Sequence, residues 1–297
     1  MNDPIDSTEK LPTQVAQIQA IEPGLYLVPT PIGNLRDITL RGLDVLGGVD
    51  AVVCEDSRVT GKLMQLYGLK KKLIVYNDHS EDYDRDAILA RLEAGESLAL
   101  VSDAGTPLVS DPGYKLVHAV QKAGIAVYPL PGASAVLPAL QVSALPSDKF
   151  LFLGFLPHKS SGRRAQFIKL KDVPVTMVFY ESPNRIADSV VDAHVSLGDR
   201  PAAIVRELTK IYEEVHHGTL AGWAAQPDLM GTLKGEIVFL IAGAPKTEAT
   251  EDDIRNALVE ALETLSVKDA AAAVSDALNT SKKPVYDMAL EIKNGKR

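Results

Sequence analysis

Five short apolar runs in the first half of the chain each stop at a polar or Gly/Pro-bearing cluster, and this repeated unit restricts the fold more than any other feature. Residues 25–28 end at PTPIGN (29–34), 50–54 at EDSR (55–58), and 73–76 at NDHS (77–80). Residues 97–101 end at SDAGTP (102–107), and 125–130 at PGAS (131–134). Segments of helical length and spacing, such as 35–46, 85–93 and 115–122, separate the runs. Apolar strands joined by helical crossovers build a parallel sheet. The C-terminal ends of such strands share one rim, where open α/β sheets bind ligands. The spacing therefore predicts an α/β fold with the clusters gathered on that rim.

Among these clusters, SDAGTP combines small residues, a Gly, a Pro and one carboxylate, and Asp111-Pro112-Gly113 follows it closely. Asp103 can accept hydrogen bonds from a ligand, while Ala104 and Gly105 leave room for its bulk. The same composition also serves an ordinary strand-to-helix turn, and Pro31 and Gly33 equally suit a rigid turn.

The pattern breaks near residues 143–148. Beyond it, 150–156, 175–180, 202–205, 211–216 and 237–241 read as strands, with helices over 163–170 and 185–196. Ile254, Leu258, Leu262 and Leu265 then recur at helical spacing, Thr250 and Asp253 suit a capping pair, and Ser266 and Pro284 suit two further helix starts. The expected layout is a leader (1–21), two α/β domains (22–147 and 148–244) and a helical tail (245–297).

The ordered set PTPIGNL, EDSR, SDAGTP, PGAS and YESPNR (180–185) resembles the tetrapyrrole methylase-like class of S-adenosylmethionine-dependent methyltransferases over residues 24–243. Within that class it is similar to the branch that methylates ribose 2′-oxygens in small-subunit ribosomal RNA. The order carries the resemblance, because SDAGTP or PGAS alone is weak evidence. It implies two α/β domains with the cofactor cleft between them and a helix-turn-helix-like tail. It also implies methylation of a cytidine ribose in 16S rRNA and a homodimer. By the same resemblance, Pro31, Ile32, Ser102, Asp103, Ala104, Gly105, Val109, Ser134 and Ala135 surround S-adenosylmethionine. Tyr180, Glu181 and Leu208 close over it.

Removal of the ribose hydroxyl proton calls for a base within hydrogen-bond reach. Glu181 or His79 is expected to take it, with Arg58 and Arg185 holding phosphates. His79 would equally cap a helix, and Glu181 and Arg185, four residues apart, would equally pair across a helical turn. Lys159, Arg163 and Arg164, in a Gly/Ser-bearing loop, are the expected RNA contacts, whereas Lys70, Lys71 and Lys72 read as a solvated face. The net charge of −8 runs against nucleic-acid affinity. Part of that acidity is peripheral, at Asp3, Asp6, Glu9, Glu248, Glu251, Asp252 and Asp253.

The remaining features exclude other classes. No apolar stretch approaches the ~20 residues a membrane span requires, and no basic segment followed by an apolar core opens the chain, so a cytoplasmic location is expected. The six His residues show no metal-ligand spacing, and the single Cys54 lies in an apolar run. There is no Walker loop, G-x-S-x-G elbow or G-x-G-x-x-G turn. The competing readings are a tetrapyrrole methyltransferase, a non-catalytic RNA-binding or ribosome-assembly protein on the same fold, and a nucleotide-dependent oxidoreductase.

Overall fold

The computed structural model describes residues 21–77, 80, 82–226, 233–245, 250–278 and 280–295. Compactness divides the chain into two units, Met1–Ala244 and Pro245–Arg297. The predicted leader lies almost wholly outside the described residues.

In the larger unit, β1 (Gly24–Leu27), β2 (Ala51–Cys54), β3 (Lys72–Val75), β4 (Ser97–Leu100) and β5 (Val127–Pro129) form a wholly parallel sheet in the order β3-β2-β4-β1-β5. The central strands β2 and β4 are buried at every residue. Their side chains alternate between two cores: Val52, Cys54 and Ala99 face Leu46 and Met64, while Ala51, Val53, Leu98 and Leu100 face Ile88 and Leu116. Helices cover both faces, so these strands read as unbroken apolar runs.

The expected helix over 35–46 is two elements. Asn34 caps a single 3-10 turn, Leu35–Asp37, Ile38 is extended, and Thr39 starts the helix Leu40–Gly48 by accepting the Gly42 amide. Two side-chain caps placed close together divide what apolar spacing joins.

A second sheet has the order β6-β7-β10-β8-β9, with β6 (Phe150–Phe155) parallel to β7 (Thr176–Glu181) and the other pairs antiparallel. These last strands are β8 (Pro201–Arg206), β9 (Glu214–Thr219) and β10 (Ile237–Ile241). One face packs Met177, Phe179, Ile204 and Phe239 against Phe167, Ile186 and Val190 from its own helices. The other face packs Val178, Ala203, Val205, Val238 and Leu240 against Val136, Ala139 and Leu140 of the helix Val136–Val142. Ile32 and Ala135 join this second core, which fastens the two sheets together.

β9 starts three residues later than the strand expected at 211–216. Ile211 and Tyr212 are apolar yet 82% and 69% exposed, and the preceding loop is held by the Thr209 amide donating to Glu213 Oε2 at 2.6 Å. Apolar character there marks a surface loop.

The smaller unit comprises the helices Glu251–Ala261, Val267–Ala277 and Lys282–Gly295 around Ile254, Leu258, Ala270, Val274, Val285 and Ala289. Thr250 and Asp253 form a reciprocal capping box, and Ser266 accepts the Asp269 amide. No helix among the described residues is long and apolar enough to cross a membrane.

Candidate active site

The loops after β1 and β4 leave neighbouring strands and are joined by a short bridge: the Thr30 and Gly105 amides each donate to the other's carbonyl at 2.9 Å. Gly105 has φ +84°, a conformation an L side chain rarely adopts. The Thr106 hydroxyl ties the same loop to the Ala133 carbonyl at 2.9 Å. Opposite them, the loop after β8 approaches so closely that a Cβ on Gly33 would lie 2.5 Å from Lys210 Cγ. The Asn34 amide donates to Thr209 Oγ1 at 3.0 Å across this contact.

Between these loops lies a cavity of about 370 Å³, within the range of small-molecule sites. Ile32, Asp103, Ala104, Gly105, Val109, Ser134, Ala135, Tyr180, Glu181 and Leu208 line it. Pro31 and Ser102 are not among the lining residues. Ser102 is 4% exposed, donates its hydroxyl to the Gly105 carbonyl at 3.1 Å, and accepts Thr30 Oγ1 on its own carbonyl at 3.0 Å. These bonds tie the loop to itself and to the loop after β1.

Sequence reasoning missed Asp111, Phe155 and Glu236, which also line the cavity. Asp111 was visible in the Asp-Pro-Gly triplet, and Phe155 ends a predicted strand. Glu236 follows a Gly just before β10 and had no distinguishing signal.

The described lining residues include no Lys, Arg or His but four carboxylates: Asp103, Asp111, Glu181 and Glu236. Burial raises the Asp103 carboxyl above its ordinary range. Burial, reinforced by the charges of Glu55 and Asp103 and opposed by the Ser102 hydroxyl, raises Asp111 to about 6. Burial and then the charges of Asp111 and Glu236 push the Tyr180 hydroxyl to about 12, so it stays protonated at neutral pH. An acidic, largely apolar cavity suits a small cationic ligand and repels a diphosphate, which disfavours a dinucleotide.

The expected proton acceptors fare differently from the lining set. Glu181 Oε1 accepts the Ser182 amide at 2.8 Å and pairs with Arg185 at 2.5 Å, while Oε2 accepts the Ser189 hydroxyl at 2.6 Å. The Glu181 side chain is fully buried and both of its oxygens are occupied. His79 lies outside the described residues. Arg185 is likewise engaged by Glu181, the Leu156 carbonyl and His158 Nδ1. Arg58 pairs with Asp56 at 2.5 Å but remains 90% exposed.

The expected RNA loop is also corrected. Residues from Ser160 onward form the helix Ser160–Lys169. Arg163 is 3% exposed, with Nε on Asp192 Oδ2 and Nη1 on the His158 carbonyl, both at 2.8 Å. This burial removes Arg163 from the phosphate-contact set. Arg164 shares Asp192 but keeps part of its side chain exposed, and Lys159 is exposed at the helix start. Among the described residues, no group of three or more His, Cys, Asp or Glu is arranged to hold a metal ion.

Comparison with known proteins bears on what this cavity serves. Residues 24–224 match the family described as tetrapyrrole (corrin/porphyrin) methylases, and residues 248–293 match the RsmI C-terminal HTH domain. The ribosomal RNA small subunit methyltransferase I of Mesorhizobium japonicum is 45% identical, over 92% of this chain and 94% of that protein. The Escherichia coli O157:H7 protein of the same name is 44% identical, over 90% and 94%. Among solved structures, Thermus thermophilus uroporphyrin-III C-methyltransferase complexed with S-adenyl homocysteine superposes with a TM-score of 0.52 at 18% identity, covering 74% of this chain and 97% of that one. A protein of Aeropyrum pernix K1 reaches 0.58 at 17% identity, covering 93% and 98%. At these identities the structural likeness concerns the fold.

Proposed function

The chain belongs to the tetrapyrrole (corrin/porphyrin) methylase family, and from that premise we propose that it methylates the 2′-oxygen of a cytidine ribose in 16S rRNA of the small ribosomal subunit, using S-adenosylmethionine. The observation that carries the ribosomal reading is the extent of the likeness. Relatives named ribosomal RNA small subunit methyltransferase I match over nine-tenths of the chain. The tail matches the C-terminal domain named for that group. Tetrapyrrole methyltransferases share the fold at far lower identity and over about three quarters of the chain.

The cavity fits the cofactor chemically. Asp103 supplies negative charge for the cofactor's cationic groups, while Ile32, Val109, Leu208 and Val238 supply apolar wall. When bound, the cofactor supplies a methyl group already activated by positively charged sulfur. The protein's task is then to fix geometry and exclude water. Gly105 and the Thr30 bridge let backbone approach the ligand, Glu181 and Arg185 brace the end of β7, and Tyr180 keeps a hydroxyl donor at neutral pH. Lys159, Arg164 and Arg58 are the exposed cations we assign to phosphate contact. The protein acts in the cytoplasm as a homodimer in this reading.

Transfer of radiolabelled methyl to small subunits lacking the modification, followed by nucleoside analysis, tests the proposal. The expected product is labelled 2′-O-methylcytidine. Label on a base would overturn the ribose assignment, and no label despite measured cofactor binding would overturn the reaction.

A further inference from the structure

With Glu181 fully occupied, the acceptor's proton needs another destination. Two of the remaining lining carboxylates are already engaged. Glu236 accepts Lys210 Nζ at 2.9 Å, and Asp103 accepts the Asp56 amide at 3.2 Å within the field of Arg58. Asp111 is left facing the cavity with only the Ser102 hydroxyl favouring its ionised form. That hydroxyl is also directed to the Gly105 carbonyl.

The backbone holds Asp111 there at a cost. Leu108 and Ser110, neither of them glycine, have φ of 72° and 66°. Such conformations persist only where the surroundings enforce them, and they cluster at functional sites. Pro112 restricts Asp111 to extended backbone, and the Thr106 hydroxyl anchors the loop start. The groups facing Asp111 come from three directions: Glu55 beyond β2, Ser102 and Asp103 beyond β4, and Tyr180 on β7. Among the described residues none of these is a cation, and none neutralises the carboxylate.

We propose that Asp111 is the proton acceptor of the methyl transfer. The inference rests on the methyltransferase reading above. Asp111 takes the hydroxyl proton onto a carboxylate oxygen as the freed oxygen pair bonds the methyl carbon and the carbon–sulfur pair leaves with sulfur; the proton then passes to solvent. A carboxyl that titrates near 6 is ionised at neutral pH yet more basic than an ordinary aspartate, which suits general-base work.

The test compares wild type, Asp111→Asn and Asp111→Glu for single-turnover methylation of modification-deficient small subunits across pH. Calorimetry measures S-adenosylmethionine binding, and carbon NMR follows the aspartate carboxyls of the cofactor-free protein. Asp111→Asn should lower kcat by about 100-fold while binding the cofactor nearly as well as wild type. It should also lose both the acidic limb of the rate profile and a carboxyl signal titrating near pH 6, the value expected for Asp111. Asp111→Glu should retain part of the rate and an acidic limb. Near-wild-type kcat in Asp111→Asn, a loss expressed wholly as weaker cofactor binding, or a carboxyl titrating in the ordinary range would each overturn the proposal. An unlabelled RNA with wild type would instead overturn the substrate reading, and the NMR titration would still decide against Asp111 if its carboxyl were ordinary.

Discussion

The two sides of the second sheet treat buried charge in opposite ways. On its outer side, Asp192 receives Arg163, Arg164 and Ser160, so its oxygens and the buried guanidinium are matched. Burial alone would raise the Asp192 carboxyl, but these hydrogen bonds outweigh it and hold the group below its ordinary range. On the cavity side, the described wall holds no cation: Asp103 feels Arg58 only from outside it, Asp111 has no cation among the described groups that act on it, and both are raised. Charge that is matched serves the fold, whereas charge left unmatched is available to a ligand or a proton.

The sharpest way to break this contrast is Asp192→Ala, which strands Arg163 in the interior. It should cost about 3–5 kcal/mol of stability in denaturant titrations without changing cofactor affinity in whatever fraction remains folded. Because the Asp192 carboxyl is held low in the folded state, its contribution is present above its unfolded-state pKa and lost as pH falls through the lower folded value.

Ala104→Trp should do the reverse, filling the cavity from an exposed position. A cofactor Kd weakened by about 100-fold with an unchanged Tm is expected, the equivalent of roughly 2.7 kcal/mol of binding energy. Retained affinity would move the ligand elsewhere.

Smaller effects follow at the surface and at Asp111. Lys159→Glu should weaken RNA binding modestly and lower the slope of log affinity against log salt by about one, whereas an unchanged slope would make Lys159 a solvated charge. Asp111→Asn should raise Tm by about a few degrees near pH 8 and by much less near pH 4. The sign follows from a carboxyl raised in the folded state: the fold binds the proton more tightly, so the wild-type penalty appears as pH rises from the unfolded value through about 6. Equal Tm shifts at both pH values would show that the charge is not the cause.

The first sheet was legible because strands buried on both faces must be apolar at every position, and the sequence of β2 and β4 satisfies that without reference to anything distant. Much of the lining, including Ala135 and Leu208 outside the quoted motifs, was named only through the family resemblance. What could not be read were relationships across long separations. Arg163 looked free because Asp192 lies 29 residues away in the chain. Asp111 looked like turn chemistry because the burial and the Glu55 charge that alter it come from other elements. Ile211 looked like strand because periodicity carries no information about which apolar residues reach the core.

Gly33 illustrates what such a closely fitted seam means for variation. It donates no side chain to the cavity, yet even one added methyl would have to displace Lys210 or Thr209. In a survey of every single substitution, this position should therefore prove as intolerant as the residues that touch the ligand. Its contribution is an absence of atoms, and a search for chemically active side chains would pass over it.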